Sequence, residues 1–255
     1  MSVERLQESI CRLKTPVALV LDPREERLHP KFLKNFTDMY GDCPMAHAEA
    51  LRFHGSQTIS RAAGKLPAVM LRAEPYLARG FMGMDVLSNL VHMAKNQGMY
   101  TIVDARCAGT EPWLRGGINA DAVTVLPYGG AESCRVGEDK LVIAAVRTPD
   151  AGAASLENPM AGDRPVVLAA GEQMASAGAA GRAETGYSLD IRDLRRRLKD
   201  TFLLLSGCDG DNAYPAFDEY GRGALVADGE LQYADDLPAA IDEAVAAMKK
   251  VIQVL

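Results

Sequence analysis

No Cys-x-x-Cys pair occurs in these 255 residues, and the five cysteines (Cys11, Cys43, Cys107, Cys134, Cys208) are scattered and odd in number. A disulfide framework needs an even set and a zinc site needs a cluster, so both are disfavoured and a reducing compartment is expected. Apolar runs long enough for a secretory core or a membrane span are also missing; the N-terminal MSVERLQESICRLK is charged and amphipathic instead. The two absences predict a cytoplasmic protein without membrane attachment. Surplus positive charge is lacking too. The formal net charge is −6, whereas phosphate backbones and anionic headgroups require clustered cations, so no nucleic-acid partner is expected. Finally, no internal repeat is visible and no G-x-G-x-x-G follows the first apolar run, which weakens the case for a doubly wound dinucleotide-binding sheet.

What is present is a series of short apolar runs. They are VALVL (17–21), AVML (68–71), TIV (101–103), AVTVL (122–126), LVIAAV (141–146), FLLL (202–205) and GALV (223–226). Each is apolar throughout rather than alternating, as strands buried on both faces must be. Helical patterns lie between them. VLSNLVHMAKNQG sets Leu87, Leu90, Val91 and Ala94 on one stripe and stops at Gly98. The last segment, 237–254, does the same with Ile241, Val245, Met248 and Ile252, and Asp235 and Asp236 stand before it as capping candidates.

Alternating strand and helix predicts a parallel sheet. The interval between Val146 and Phe202 has room for an eighth strand, expected within GAAGRAETG (178–186), while 150–181 reads as loose, rich in Ala and Gly. Eight strands in about 250 residues is the arithmetic of a (β/α)8 TIM barrel. With 48% hydrophobic and 24% charged residues the chain has material for one large core, and the whole of 1–255 is expected to form a single barrel domain.

In such a barrel the ligand site lies at the C-terminal ends of the strands. The residues to read there are Asp22-Pro23, Arg72 to Glu74, Asp104 to Gly109, Pro127 to Gly130, Arg147-Thr148, Ser206 to Asp211 and Ala227 to Glu230. Asp104 and Arg106 are two apart, so they share a side. One reading has them pair and close the barrel mouth; another has Arg106 lower the pKa of Cys107 into the nucleophile range. The four histidines fall in helical or turn contexts, which argues against a Cys–His pair. His47 and His54, seven apart around Leu51, form a helix-surface pair with no third residue spaced to complete a metal site. RDLRRRLK carries Ile191, Leu194 and Leu198 on one stripe and is read as an amphipathic helix with solvated arginines.

LKTPVALVLDPR, YTIVDAR, ADAVTVLPYGG, VIAAVRTPDAG and FDEYGRGALV, in this order, resemble segments of the orotidine 5′-phosphate decarboxylases, in their branch of longer bacterial chains. The resemblance covers nearly the whole chain, although each motif alone is weak. It implies a (β/α)8 barrel, a homodimer, no cofactor and no metal. It also implies conversion of orotidine 5′-monophosphate to UMP and CO2, the last step of de novo pyrimidine biosynthesis. The family depends on a Lys at the end of strand two and on an Asp-x-Lys-x-x-Asp motif after strand three, whose Lys protonates the C6 carbanion. Carried over residue by residue, the first Asp is Asp104, the proton-donating Lys is Arg106, the final Asp is Gly109, and the strand-two Lys aligns with Met70.

The phosphate site departs as well. The family places a Gln after strand five, a Gly-rich loop after strand seven and an Arg after strand eight. The corresponding segments are SLE (155–157), SGCDGDN (206–212) and ADGELQYA (227–234), which set Glu157, Asp209, Asp211 and Glu230 where a dianion needs donors. The Thr-Ser-Asn that reads the pyrimidine is Thr148-Pro149-Asp150, while Asp22, Tyr128 and Arg147 remain. In TEPWLRGG, Pro112 starts a helix that Gly116-Gly117 ends within about a turn.

The resemblance therefore implies Asp104 and Arg106 as catalytic positions and Asp22, Tyr128, Arg147 and Thr148 as ligand contacts, in a homologue that no longer decarboxylates. Such a chain is expected to bind a ligand or partner, either as a homodimer or as an inhibitory heterodimer with a catalytic homologue. The strand-end acids favour a cationic or neutral ligand. The alternative is an active decarboxylase in which Lys65, Lys95 or Lys140 donates the proton; all three fall at the wrong end of a barrel. A third reading is a new chemistry built on Asp104, Arg106 and Cys107.

Overall fold

The computed structural model describes residues 2–106, 109–125, 139–147, 167–170, 187–197, 199 and 201–255. Eight parallel strands close into a barrel in sequence order: β1 (Val17–Leu21), β2 (Ala68–Arg72), β3 (Tyr100–Asp104), β4 (Ala122–Val125), β5 (Leu141–Arg147), β6 (Val167–Ala170), β7 (Leu203–Ser206) and β8 (Ala224–Asp228), with β8 pairing back onto β1. Uniform apolarity is the cause. Every residue of β1, β3 and β4 is buried, so each strand has to be covered on both faces, inside by the barrel filling and outside by helices.

The eighth strand exists, but its place corrects the sequence reading. It is Val167–Ala170, inside the stretch read as loose, and GAAGRAETG lies outside the described residues. The pairing of β6 with both β5 and β7 is what identifies it. VVLAA (166–170) is a short apolar run between Pro165 and Gly171, and the Ala- and Gly-rich composition of the stretch as a whole hides it.

The helices are α1 (Ser2–Leu13), α2 (Pro30–Tyr40), α3 (Pro44–Ala62), α4 (Glu74–Leu77), α5 (Gly80–Asn96), α6 (Glu111–Leu114), α7 (Tyr187–Arg197), α8 (Gly210–Ala213) and α9 (Leu237–Val251). The stripe Leu87, Leu90, Val91 and Ala94 is buried as its spacing requires, and Gly98 just beyond α5 has φ 79°. A left-handed residue costs Gly nothing at such a helix end. Asp236 caps α9, accepting from the Ala239 N–H at 3.2 Å. Pro112 stands in the first turn of α6, which lasts four residues.

Helix α1 spans the N-terminal opening of the barrel. Its Ser2 hydroxyl meets the Tyr100 hydroxyl at the start of β3, its Gln7 accepts from the Gly223 N–H before β8, and its Arg5 pairs with Asp121 before β4. Helix α1 thus covers that end, and the opposite mouth is where the strand C-termini gather. Among the described residues no helix is long and apolar enough to cross a membrane.

Candidate functional site

Parallel strands deliver their last residues to one face, and here the last residues are charged. Asp22 follows β1, Arg72 ends β2 and Asp104 ends β3; the sheet register sets Arg72 opposite Asp104. Arg72 donates through Nη1 to Asp22 Oδ2 at 3.1 Å and through Nε to Asp104 Oδ2 at 3.3 Å. One guanidinium thus bridges two carboxylates. Its fork makes this possible, since five N–H donors in fixed directions serve two acceptors at once.

Asp104 is the buried centre of the arrangement, 7% exposed. Thr124 on β4 donates to its Oδ1 at 2.5 Å, and Arg106 comes back over it with Nε 3.2 Å from Oδ1 and Nη2 3.3 Å from Oδ2. A buried carboxylate is tolerable only with such a full set of donors. Arg106 reaches this position through backbone geometry that most side chains avoid. Its φ is 46°, and its N–H donates to the Thr124 carbonyl at 3.1 Å. The left-handed turn folds the chain back so that residues two apart clasp one another.

Asp22 is fixed from the β8 side. Gln232 accepts from its N–H at 3.1 Å, and the Tyr233 hydroxyl donates to its carbonyl at 2.6 Å. Arg24 lies 3.5 Å from its carboxylate. Among the described residues three arginines (24, 72, 106) therefore lie against two aspartates (22, 104). Of the four strand-end acids counted in the sequence, two have partners of their own. Glu230 is clasped by Arg27 at 3.1 and 2.7 Å, which holds its carboxyl below the usual range. Asp209 caps α8 at the Asn212 N–H, 2.9 Å away.

Two positions need correction. Met70 does not stand at the end of strand two; it lies in mid-strand, 3% exposed, and Arg72, two residues on and on the same side, meets Asp104. The histidine pair is not a surface pair either. His54 is 6% exposed and stacks 6.2 Å from the Tyr233 ring, and burial pushes its pKa down. His47 is tied to Glu25 and Asp42 instead. Among the described residues no three His, Cys, Asp or Glu side chains converge on a metal position.

The three lysines considered as proton donors are far from this mouth. Lys65 pairs with Asp242 on α9, Lys95 reaches Asp121 and the Asn119 carbonyl, and Lys140 binds Asn119 and the Ala120 carbonyl. Lys95 and Lys140 belong to the closed end of the barrel. Arg147 is the last residue of β5, in register with Ala170. Cys107, Tyr128, Thr148 and Glu157 lie outside the described residues. Sequence reasoning missed Arg24, Arg72 and Thr124 as members of the network. For Arg72 the signal was its place at the end of an apolar run; for Thr124 there was none, because a polar residue inside AVTVL reads as strand interior.

No protein-family model matches the chain, and no match is found among curated proteins. Solved structures do match in fold. The OMP decarboxylase of Leishmania donovani superposes with a TM-score of 0.75 at 19% identity, covering 98% of each chain. The UMP synthase of the same organism gives 0.72 at 19% identity, over 97% of this chain and 56% of that one. The orotidine 5′-monophosphate decarboxylase of Plasmodium berghei gives 0.73 at 11% identity over 97% of each. At such identities the likeness is one of fold, and it extends over nearly the whole chain: this is a (β/α)8 barrel of the shape found in the orotidine 5′-monophosphate decarboxylases.

Proposed function

We propose that the chain is a divergent relative of the orotidine 5′-monophosphate decarboxylases, in their longer bacterial branch, that binds at its barrel mouth without decarboxylating. The observation that carries this reading is the arginine pair. Arg72 and Arg106 take the cation positions around Asp104, and a guanidinium with a pKa above about 12 holds charge well but gives up a proton badly. Loss of a general acid alone costs about 10²–10⁴-fold. Here Gly109 also replaces the motif's final acid, and guanidinium forks hold the remaining carboxylates in a static network. The ligand contacts are Asp22, Tyr128, Arg147 and Thr148, with Arg24 and Arg106 the arginines of the mouth that stand nearest to solvent.

The test is turnover of orotidine 5′-monophosphate by purified protein, followed by loss of the orotate absorbance, against an Asp104→Ala control. We expect no turnover above the control. Activity that disappears with Asp104→Ala would establish the second reading, an active decarboxylase forming UMP and CO2. That reading has one supporting observation: acid and cation alternate through Asp22, Arg72, Asp104 and Arg106 in an unbroken row.

As to partners, the proposal is a cytoplasmic homodimer, or a heterodimer with a catalytic homologue that would be inhibitory. Gly109 offers no acid to a neighbouring site, and this chain's own mouth lacks the lysines, so both sites of the pair would be impaired. Co-purification that left the homologue's activity unchanged would remove this version.

A further inference from the structure

Helix α2 is unlike its neighbours in having no buried residue. It rests on α3 by aromatic contact, the rings of Phe32 and Phe36 lying 5.1 and 6.1 Å from that of Phe53. A groove of about 490 Å³ runs along it, lined by Glu25, Leu28, Leu33, Lys34, Asp42 and His47 among others. So little apolar cover leaves the helix to be held by its ends, and a single side chain holds both. His47, on the first turn of α3, has Nδ1 3.0 Å from each Glu25 carboxylate oxygen and Nε2 2.8 Å from Asp42 Oδ1. Glu25 lies in the segment that leads into α2, and Asp42 follows its last turn.

A neutral imidazole carries one N–H; its other nitrogen presents a lone pair, which a carboxylate repels. Only the imidazolium donates to both acids. We propose that His47 is a proton-operated latch on α2: the charged ring straps the helix down over the groove, and the neutral ring lets one end go. The charges facing His47 come from each element around it. Glu25 and Glu26 stand on the turn after β1, Asp42 on the α2–α3 connection, Lys34 on α2 across the groove, and Arg79, which pairs with Glu25, before α5. Asp42 is the main cause holding the imidazole above its ordinary 6.5; Glu25 adds to it, while burial and Arg79 work the other way.

The sign follows from the folded value being the higher. The strap is fully favoured below 6.5 and is lost as pH climbs through the raised value. Because Glu25 follows Asp22, Pro23 and Arg24 directly, release of the strap also loosens the β1 corner of the candidate site. The β1 corner of the barrel mouth would then be pH-dependent.

Hydrogen–deuterium exchange of the full chain tests this, at about pH 6 and about pH 8.5, below and well above the ordinary imidazole value of 6.5, after correction for intrinsic rates. In the wild type, α2 should lose protection on the order of tenfold at the higher pH, the scale of one charge-assisted hydrogen bond, while α5 keeps its protection. His47→Gln should leave α2 poorly protected at both values. Asp42→Asn should keep it protected at both, since the new amide donates to the neutral ring nitrogen. If His47→Gln also strips protection from α5, the Asp42→Asn protein decides alone. Equal α2 protection in the wild type at both pH values, or an unaltered pH response in Asp42→Asn, overturns the proposal.

Discussion

Removing Arg72 and removing Arg106 from the Asp104 carboxylate should not be equivalent losses. The Arg72 side chain is 13% exposed and that of Arg106 34%, and among the described residues Arg72 serves two acids and Arg106 one. Truncating a partner of a buried charge costs roughly 3–5 kcal/mol in general, and Thr124 and Arg106 remain to Asp104, so Arg72→Met is expected to cost about 2–4 kcal/mol. For Arg106→Met, where water can replace the guanidinium, about 1 kcal/mol is expected. Urea midpoints at unchanged m-value measure both, and the reverse order would mean that Arg106, not Arg72, carries the network. This asymmetry was not legible in the sequence. Asp22, Asp104 and Arg106 were, because each follows an apolar run and i, i+2 spacing fixes a common side. The partnership of Arg72 with Asp104 depends on register between two strands 32 residues apart, and no local pattern encodes that.

At the scale of elements, the strands were legible wherever an apolar run was long enough to be cut by turns, which covers seven of the eight. β6 fails because its short run, although bracketed by Pro165 and Gly171, sits in a stretch whose overall Ala- and Gly-rich composition reads as loose. Helix α7 shows a different limit. Its stripe of Ile191 and Leu194 is buried as expected, yet the arginines beside the stripe were read as solvated. Arg192 and Arg196 are exposed. Arg195 instead turns inward and donates to the carbonyls of Lys199, Thr201, Ala216 and Gly223. Periodicity assigns a face but cannot tell which residue at its margin finds acceptors. Arg195 in effect ties α7 to the entries of β7 and β8, so Arg195→Met, which keeps the stem and removes the donors, should destabilise by about 2 kcal/mol through carbonyls left unpaired. Arg196→Met should be neutral within about 0.5 kcal/mol. Thermal unfolding of the two variants side by side checks the difference; equal effects would mean that the arginine stem, not its donors, matters.

The barrel as a whole is polarised between a mouth of paired charges and a closed end, and the closed end turns on one acid. Asp121 is 3% exposed and takes Thr101 through both its backbone N–H and its hydroxyl at 2.9 Å, Arg5 from α1, and Lys95 from α5 at 3.3 Å. One carboxylate so joins the first helix, two strands and a wall helix. Burial pushes its pKa up, but the hydrogen bonds from Thr101 and Arg5 outweigh it and hold the carboxyl below 3.8. A folded value below the unfolded one means stability that is present in full above 3.8 and lost as pH falls through the folded value. Asp121→Asn keeps the shape and one acceptor but discards the charge. The variant should therefore be less stable than the wild type at neutral pH, by about 1–3 kcal/mol. The gap should hold down to about pH 4 and then narrow, because protonation takes from the wild type what the amide has already lost. Urea unfolding along a pH series measures it. A gap that stays constant through the acid range would mean that the Asp121 charge contributes nothing, and that α1 is held over the barrel floor by Leu6, Ile10 and the bonds of Ser2 and Gln7.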